Sequence, residues 1–266
     1  MPEKLLLPMI NHIEICYMLD FRKLSEIPAS CQRIYFGHET CEKLLPSFNE
    51  IQNLLEIAEK RQIELTFVTP FLSERGLEKV VLFLEHLKTV IPQIIEIVTP
   101  DWGLIHWIAT NKMGIPVVSR FMVGQQLDFR LVENIKLPEM INHLSSCTLM
   151  KDKTMEMFHR LGVNRFELSN VFQPIVLTDE KKYHYSLHVP FVPLTIFRSC
   201  PENMDFNCLR KNCNAYNCNH NKQKWLSNHL QHDIYCLDNA LYYSNPSIEY
   251  QLKMNKQIDR IVYRIF

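Results

Sequence analysis

Neither sign of charge is in excess in this sequence: 29 Lys and Arg stand against 29 Asp and Glu, a formal net charge of zero. That balance excludes the fold-wide basic footprint of a nucleic-acid binder. No run approaches the ~18 consecutive apolar residues of a membrane span. The opening MPEKLLLPMINHIE holds only a short apolar run between Lys4 and His12, with no small-residue cleavage site after it. No secretory signal is read there, and a cytoplasmic location is the expectation. Internal repeats and low-complexity tracts are missing, and so are an HExxH zinc helix and a Ser–His–Asp arrangement. No hydrolase is announced by motif.

What is present is apolar mass. Hydrophobic residues make up 47% of 266 positions, enough for a sizeable core in one large domain or a domain with an appendage. Short β-rich runs alternate with helical segments. Strands are predicted at Ile13–Tyr17, Arg33–Gly37, Ile63–Val68, Ile94–Val98 and Pro116–Phe121, then at Ser146–Leu149, Val163–Leu168 and within Tyr183–Phe197. Between them a helix is read over residues 48 to 61, opened by the capping box of Ser47 and Glu50, with Ile51, Leu54, Leu55 and Ala58 on one face. Further helices are read over Leu77–Val90, Gly103–Asn111, Leu137–His143 and Lys151–Leu161, the last stopped by Gly162. Eight strands with helices between them predict an α/β fold, a (β/α)8 TIM-barrel-like domain over residues 1–198. Residues 199–266 are then a cysteine-rich metal-binding segment with a hairpin turned at Asp238-Asn239 and a last strand, Ile258–Tyr263, packed on the barrel.

That segment holds the densest chemistry. Cys200, Cys208, Cys213 and Cys218 fall within RSCPENMDFNCLRKNCNAYNC, with gaps of seven, four and four residues. Thiols this close share a metal, pair as disulfides or coincide by accident. In a reducing compartment the disulfide reading falls away. A 4Fe–4S cluster tolerates such uneven spacing, and zinc is the alternative, since the two four-residue gaps just reach its range. His220, His229 and His232 lie downstream, where a histidine ligand would favour zinc and solvated loop residues are the plainer reading. The stretch has little hydrophobic periodicity, so a bound metal would supply its order. Cys16, Cys147 and Cys236 lie in predicted strands and read as small core residues.

Polar groups at strand ends are the candidate substrate contacts, because barrel chemistry gathers at the C-terminal rim. His38, Asp101, Arg120, Gln125 and Glu167 occupy such places. Arg120 suits a bidentate clamp on a substrate carboxylate, and Asp101 suits acid–base work or a substrate hydroxyl. For each, a buried ion pair or a loop charge is the structural alternative. Glu14, Glu64 and Glu96 lie inside strands and read as structural partners of Arg or Lys. Trp102 and Trp107 flank Asp101 and read as packing, with ring stacking as the functional alternative. Arg210, Lys211, Lys222 and Lys224 gather around the cysteines, where RNA phosphate contact is conceivable, although the net charge lends it no support.

Several stretches resemble one family. IYFGHETC (Ile34 to Cys41) resembles the second strand and following loop of the collagenase-like putative peptidase family that includes UbiU and UbiV. GVNRFELSN (Gly162 to Asn170), the approach from Phe191 to Cys200, and IDRIVY (Ile258 to Tyr263) resemble further parts of it. The resemblance implies a TIM-barrel-like fold carrying a 4Fe–4S cluster. Its ligands would be four of Cys41, Cys200, Cys208, Cys213 and Cys218. It also implies an oxygen-independent hydroxylation or related redox step on a quinone precursor or an RNA base, with prephenate as an oxygen donor and a paralogous barrel as a hetero-dimer partner. A non-catalytic, metal-stabilised partner subunit is the alternative. The chain departs from the protease-type signature at YSLHVPFVP, where Ser186 stands in place of the expected Glu and no Gly follows. That departure disfavours the peptidase reading.

Overall fold

The structure is a computed structural model. It describes residues 12–19, 21–91, 95–122, 149, 151–178, 180–197, 223–225 and 233–264. The chain opens with β1 (Glu14–Met18) and β2 (Arg33–Gly37), joined through a 3-10 turn over Phe21–Glu26. Helix α1 (Phe48–Arg61) follows, with the predicted capping box formed: the Ser47 amide donates to Glu50 Oε2 at 2.7 Å, and Ser47 Oγ accepts from the Glu50 amide at 3.4 Å. Its buried stripe is Ile51, Leu54 and Ala58. Then come β3 (Glu64–Val68), α2 (Glu74–Val90), β4 (Glu96–Thr99), α3 (Trp102–Asn111) and β5 (Ile115–Val118). Helix α4 (Asp152–Arg160) gives way at Gly162, whose φ of 80° is the left-handed turn that a glycine allows without strain. Strands β6 (Arg165–Ser169) and β7 (His184–Val189) follow.

The chain then leaves the barrel. Strand β8 (Phe191–Ile196) begins after the cis Val189–Pro190 peptide and pairs antiparallel with β11 (Ala240–Ser244). β11 pairs with β10 (Ile234–Leu237), and β10 with β9 (Gln223–Trp225), giving a four-stranded antiparallel sheet. The predicted hairpin is present: Asp238 and Asn239 turn β10 into β11, with Asp238 left-handed at φ 55°. Helix α5 (Glu249–Met254) leads back to β12 (Ile258–Arg264).

Eight parallel strands close the barrel in the order β1, β12, β7, β6, β5, β4, β3, β2. The α/β barrel is as expected, but its composition is not. The barrel is not confined to residues 1–198, because its eighth stave is β12, hydrogen-bonded between β1 and β7 with Ile261 opposite both Ile15 and Leu187. No place is left for a stave at Ser146–Leu149, because β5 pairs directly with β6, Val118 opposite Phe166. Residues 146–148 and the helix predicted at Leu137–His143 lie outside the described residues.

The outward faces of the strands build the core against the helices. Phe36, Phe67 and Ile97 pack on Leu54, Val80, Leu84 and Ile108 on one side, and Phe166 and Leu187 pack on Met155, Phe158 and Leu252 on the other. Each such side chain, fully buried, contributes about 1.5–3 kcal/mol. The inward faces are different, and they position the site.

Candidate functional site

Alternation along a strand sends every second side chain into the lumen. Here three strands carry polar residues at that spacing: Arg165, Glu167 and Ser169 on β6, His184, Ser186 and His188 on β7, and Arg260 and Arg264 on β12. Near the strand N-termini they meet acids from across the ring. Arg260 donates to Glu96 Oε2 through Nη1 and to Glu14 Oε2 through Nε, both at 2.6 Å. β12 and β4 stand opposite each other, so the first of these contacts spans the lumen. Arg33 donates to Glu14 Oε1 at 2.7 Å, and Arg165 pairs with Asp259 at 2.6 Å and with Glu96 at 3.4 Å. Burial would raise the Glu96 carboxyl, but Arg260, helped by Arg33 and Arg165, holds it down at about 2. This end of the barrel is a charge lattice, so Glu14 and Glu96 are structural partners as expected. Glu64 is exposed at the start of β3.

Midway up, Tyr35 on β2 donates to Glu167 Oε1 across the lumen at 2.9 Å and accepts from Arg260 Nη1 at 2.9 Å. The other Glu167 oxygen meets His188 Nε2. Burial pushes the Glu167 carboxyl up to about 7, even against the charge of Arg260 and the Tyr35 hydrogen bond. Burial and the charge of Arg120 push His188 well below its ordinary range. Both shifts favour a proton on Glu167 over a charged His188, and the other imidazole nitrogen, Nδ1, lies 3.8 Å from Glu39 Oε1.

At the strand C-termini the lumen is closed by a second ion pair. Arg120 donates to both Glu39 oxygens, Nε to Oε1 at 2.8 Å and Nη2 to Oε2 at 2.7 Å, and Nη1 donates to the Phe191 carbonyl at 2.6 Å. Arg264 adds a contact to Glu39 at 3.4 Å and donates to Tyr242 Oη and Asp238 Oδ2, both at 3.0 Å. Burial would lift Glu39, yet Arg120, with His188 and Arg264, pulls its carboxyl down to about 2. The four-stranded sheet is thus tied to the mouth at Phe191, Tyr242 and Asp238.

The rim above this ion pair carries Cys41. His38 Nδ1 accepts the amides of Thr40 at 3.2 Å and Cys41 at 2.9 Å. That leaves the ring proton on Nε2, 3.3 Å from Asp238 Oδ2. Asn239, next in the hairpin, donates from Nδ2 to the carbonyls of Thr40 and Phe197, both at 2.8 Å, and the Phe197 amide returns a bond to the Asn239 carbonyl at 2.7 Å. The hairpin tip therefore fastens the loop that ends in Cys41 to the residue that opens the cysteine-rich stretch.

A solved structure, described as that of the U32 peptidase Mk0906, is similar to this chain with a TM-score of 0.50. The likeness covers 96% of this chain and 93% of that one, at 13% sequence identity. It shows the fold. No protein-family model and no curated protein matches the sequence.

Of the residues singled out by sequence, His38 and Cys41 stand together at the rim. Arg120 lies just below, its guanidinium engaged by the protein's own Glu39 in place of an open carboxylate clamp. Asp101 is the N-cap of α3, where its Oδ1 accepts the Leu104 amide at 3.0 Å. Trp102 stacks on Phe158 at 4.8 Å and Trp107 packs on the core, which is the packing role. Cys200, Cys208, Cys213, Cys218 and Gln125 lie outside the described residues, as do His220, His229 and His232. Among the described residues, no three His, Cys, Asp or Glu side chains gather as a metal site. Of the expected ligands, Cys41 alone falls among the described residues. Cys41 is at the rim, and Phe197, three residues before Cys200, is bound beside Thr40.

Glu39, His188, Arg264, Asp238 and Asn239 carry the mouth, and sequence reasoning gave none of them a role there. The usable signal was the even spacing of polar residues, two apart in β6 and β7 and four apart in β12, which points them inward.

Proposed function

We propose that this chain is an iron–sulfur-dependent enzyme of the UbiU/UbiV type, working in a reducing compartment at the C-terminal rim of the barrel. Its reaction is an oxygen-independent hydroxylation or related redox step on a small aromatic or quinone precursor or an RNA base. The supporting observation is the Asn239 carboxamide, which joins the carbonyl of Thr40, next to Cys41, to that of Phe197, which precedes the cysteine-rich stretch in sequence. Cys41, Cys200 and two of Cys208, Cys213 and Cys218 would hold the cluster, which supplies one-electron chemistry when bound. His38 holds the Cys41 loop through two backbone amides. Arg120 is occupied by Glu39 and acts as a structural partner, so a dicarboxylate such as prephenate would be held at the rim above this pair. Cys16 and Cys31 are unsuited to metal: burial pushes the Cys16 thiol far up and the Cys31 thiol up to about 11, whereas ligation needs thiolate.

The description of the similar fold favours a peptidase as the second reading. Against it, Ser186 is fully buried in the lumen, and its Oγ accepts from Arg165 Nη1 at 3.2 Å. No water or peptide reaches it there.

Anaerobic reconstitution with iron and sulfide tests the proposal. The wild-type protein is expected to be brown with four irons and four sulfides per chain, the composition of a cubane cluster. Cys41→Ala and Cys200→Ala are expected to lose iron, and Cys31→Ala to keep it. A colourless zinc protein, or full iron in Cys41→Ala, refutes this ligand assignment, and iron-free hydrolysis of unstructured peptides establishes the peptidase.

A further inference from the structure

We propose that the face shared by α5 and the segment after β6 is an interaction surface whose partner is a second copy of this chain, joined across a two-fold axis. Residues 171–176 alternate in burial: Val171, Gln173 and Ile175 are buried, while Phe172, Pro174 and Val176 are exposed. The outward row is therefore apolar throughout. Beside it, α5 buries Gln251 and Leu252 and turns Tyr250 and Met254 outward. Exposure is high on both segments, 58% at Val176 and 60% at Met254.

The two segments are fastened to each other. Gln251 Nε2 donates to the carbonyls of Val171 at 2.9 Å and Gln173 at 2.7 Å, on either side of Phe172. Asn170 Nδ2 donates to the carbonyls of Asn245 and Ser247, both at 2.8 Å, and Asn245 Nδ2 returns a bond to the Asn170 carbonyl at 2.8 Å. Phe172 is braced by Tyr243, stacked at 5.3 Å. The surface is thus already ordered, so little conformational entropy is lost when it is covered. A fixed group of apolar side chains marks an interaction site, as single scattered ones do not.

Charge identifies the partner. Next to the Tyr250–Met254 row of α5 runs a second exposed row, Glu249 and Lys253, also on one face at helical spacing. Glu156 and Arg160 in α4 close such a pair at 2.8 Å, whereas Glu249 and Lys253 form no ion pair among the described residues. When α5 packs antiparallel on its copy about a two-fold axis, residue i meets j and j meets i. Tyr250 then packs on Met254 of the partner subunit, and each Glu249 faces the partner subunit's Lys253. One short helix supplies both halves of a complementary charge pattern around an apolar centre. A chain of zero net charge adds no overall repulsion between copies.

Sedimentation velocity on the full chain, from about 1 μM to about 100 μM, tests the surface. Wild type is expected to reach twice its monomer mass of 31.6 kDa within that range. Met254→Asp and Val176→Asp, both at exposed positions, are expected to stay monomeric with unchanged circular dichroism. Leu82→Asp, at a 66% exposed leucine of α2, is expected to dimerise as wild type does. Glu249→Lys and Lys253→Glu are each expected to weaken self-association about tenfold, because each sets like charges together twice across the axis. Mixing these two single variants is expected to restore wild-type association, since every facing pair is again opposite in sign. Mixing cannot repair a pair within one helix, so the rescue reports contact between copies. A wild type that stays monomeric at about 100 μM overturns the proposal, as does a dimer indifferent to Met254→Asp and Val176→Asp, or a mixture no tighter than its components. Iron enters none of these readouts, so their outcome is separate from that of the proposed function.

Discussion

Removing Arg120 separates a structural role from a substrate-clamping one. In Arg120→Ala the Glu39 carboxylate stays 3% exposed and keeps only Arg264 at 3.4 Å and His188 at 3.8 Å, and the Phe191 carbonyl loses its donor. Breaking a buried pair on one side costs about 3–5 kcal/mol. Arg264 places the loss near the lower end, and the orphaned carbonyl adds about 1 kcal/mol. At roughly 2–4 °C per kcal/mol for a chain of this size, the melting temperature drops by about 10 °C. The pH dependence is the sharper signature. With its carboxyl held at about 2, Glu39 contributes stability that is fully present above the ordinary value of 4.5 and is lost as pH falls through 2. Between pH 7 and pH 3 the wild type therefore sheds about 2 kcal/mol from this group. Without Arg120, burial dominates, the Glu39 carboxyl rises, and that acid-side loss disappears. Urea unfolding at the two pH values should show the deficit of the variant shrinking by about 2 kcal/mol or more at pH 3. A deficit under about 1 kcal/mol at pH 7, or one that does not change with pH, refutes the buried-pair account and returns Arg120 to the substrate.

Glu167 gives the opposite sign. Its carboxyl, raised to about 7, contributes stability that is present below 4.5 and lost as pH rises through 7. Glu167→Gln should remove about 2 kcal/mol of the decline in stability between pH 5 and pH 7, as read from urea midpoints. Asp101→Ala loses the α3 cap and is expected to cost about 1 kcal/mol. Iron content in that variant should match wild type, and a loss of iron would reinstate Asp101 as a site residue.

The first five staves were legible because each is a short apolar run cut off by turn residues, and Ser47 with Glu50 marked the start of α1 outright. The closing stave was visible as a strand but not as part of the barrel. More than sixty residues separate β7 from β12, and they include a sheet of their own, so the habit of pairing sequential strands misassigned it. Ser146–Leu149 was read as a stave from local composition alone, which cannot register that β5 already pairs with β6. His38 was singled out by its place at a strand end, and Cys41 by the family resemblance of IYFGHETC. Glu39, between them, was passed over, because its partner Arg120 is 81 residues away and nothing in the intervening chain records the contact. Asp238 and Asn239 were read only as turn formers. That reading is correct for the backbone, and it hides the two side chains that leave the turn toward the barrel.

The filled lumen decides where chemistry is possible. A barrel interior of Tyr35, Glu167, His188, Glu39 and Arg120 has the residue types of an active site, and each of them is 4% exposed or less. Their hydrogen-bonding groups are directed at one another: Tyr35 at Glu167, Glu167 at His188, Arg120 at Glu39. A substrate entering this space would have to replace those bonds one for one, and buried charges tolerate no intermediate stage of partial pairing. The lattice is better suited to fixing the register of eight strands that share a polar interior, since a one-residue slip of β12 would turn Arg260 and Arg264 out of the lumen and strip one partner each from Glu14, Glu96 and Glu39. Rigidity bought at that level is delivered to the rim, where Arg264 holds Asp238, Asp238 holds His38, and His38 holds the amide of Cys41. The backbone of Cys41 therefore stands at the end of a chain of fixed contacts that begins inside the barrel, so the rim loop inherits its position from the lumen.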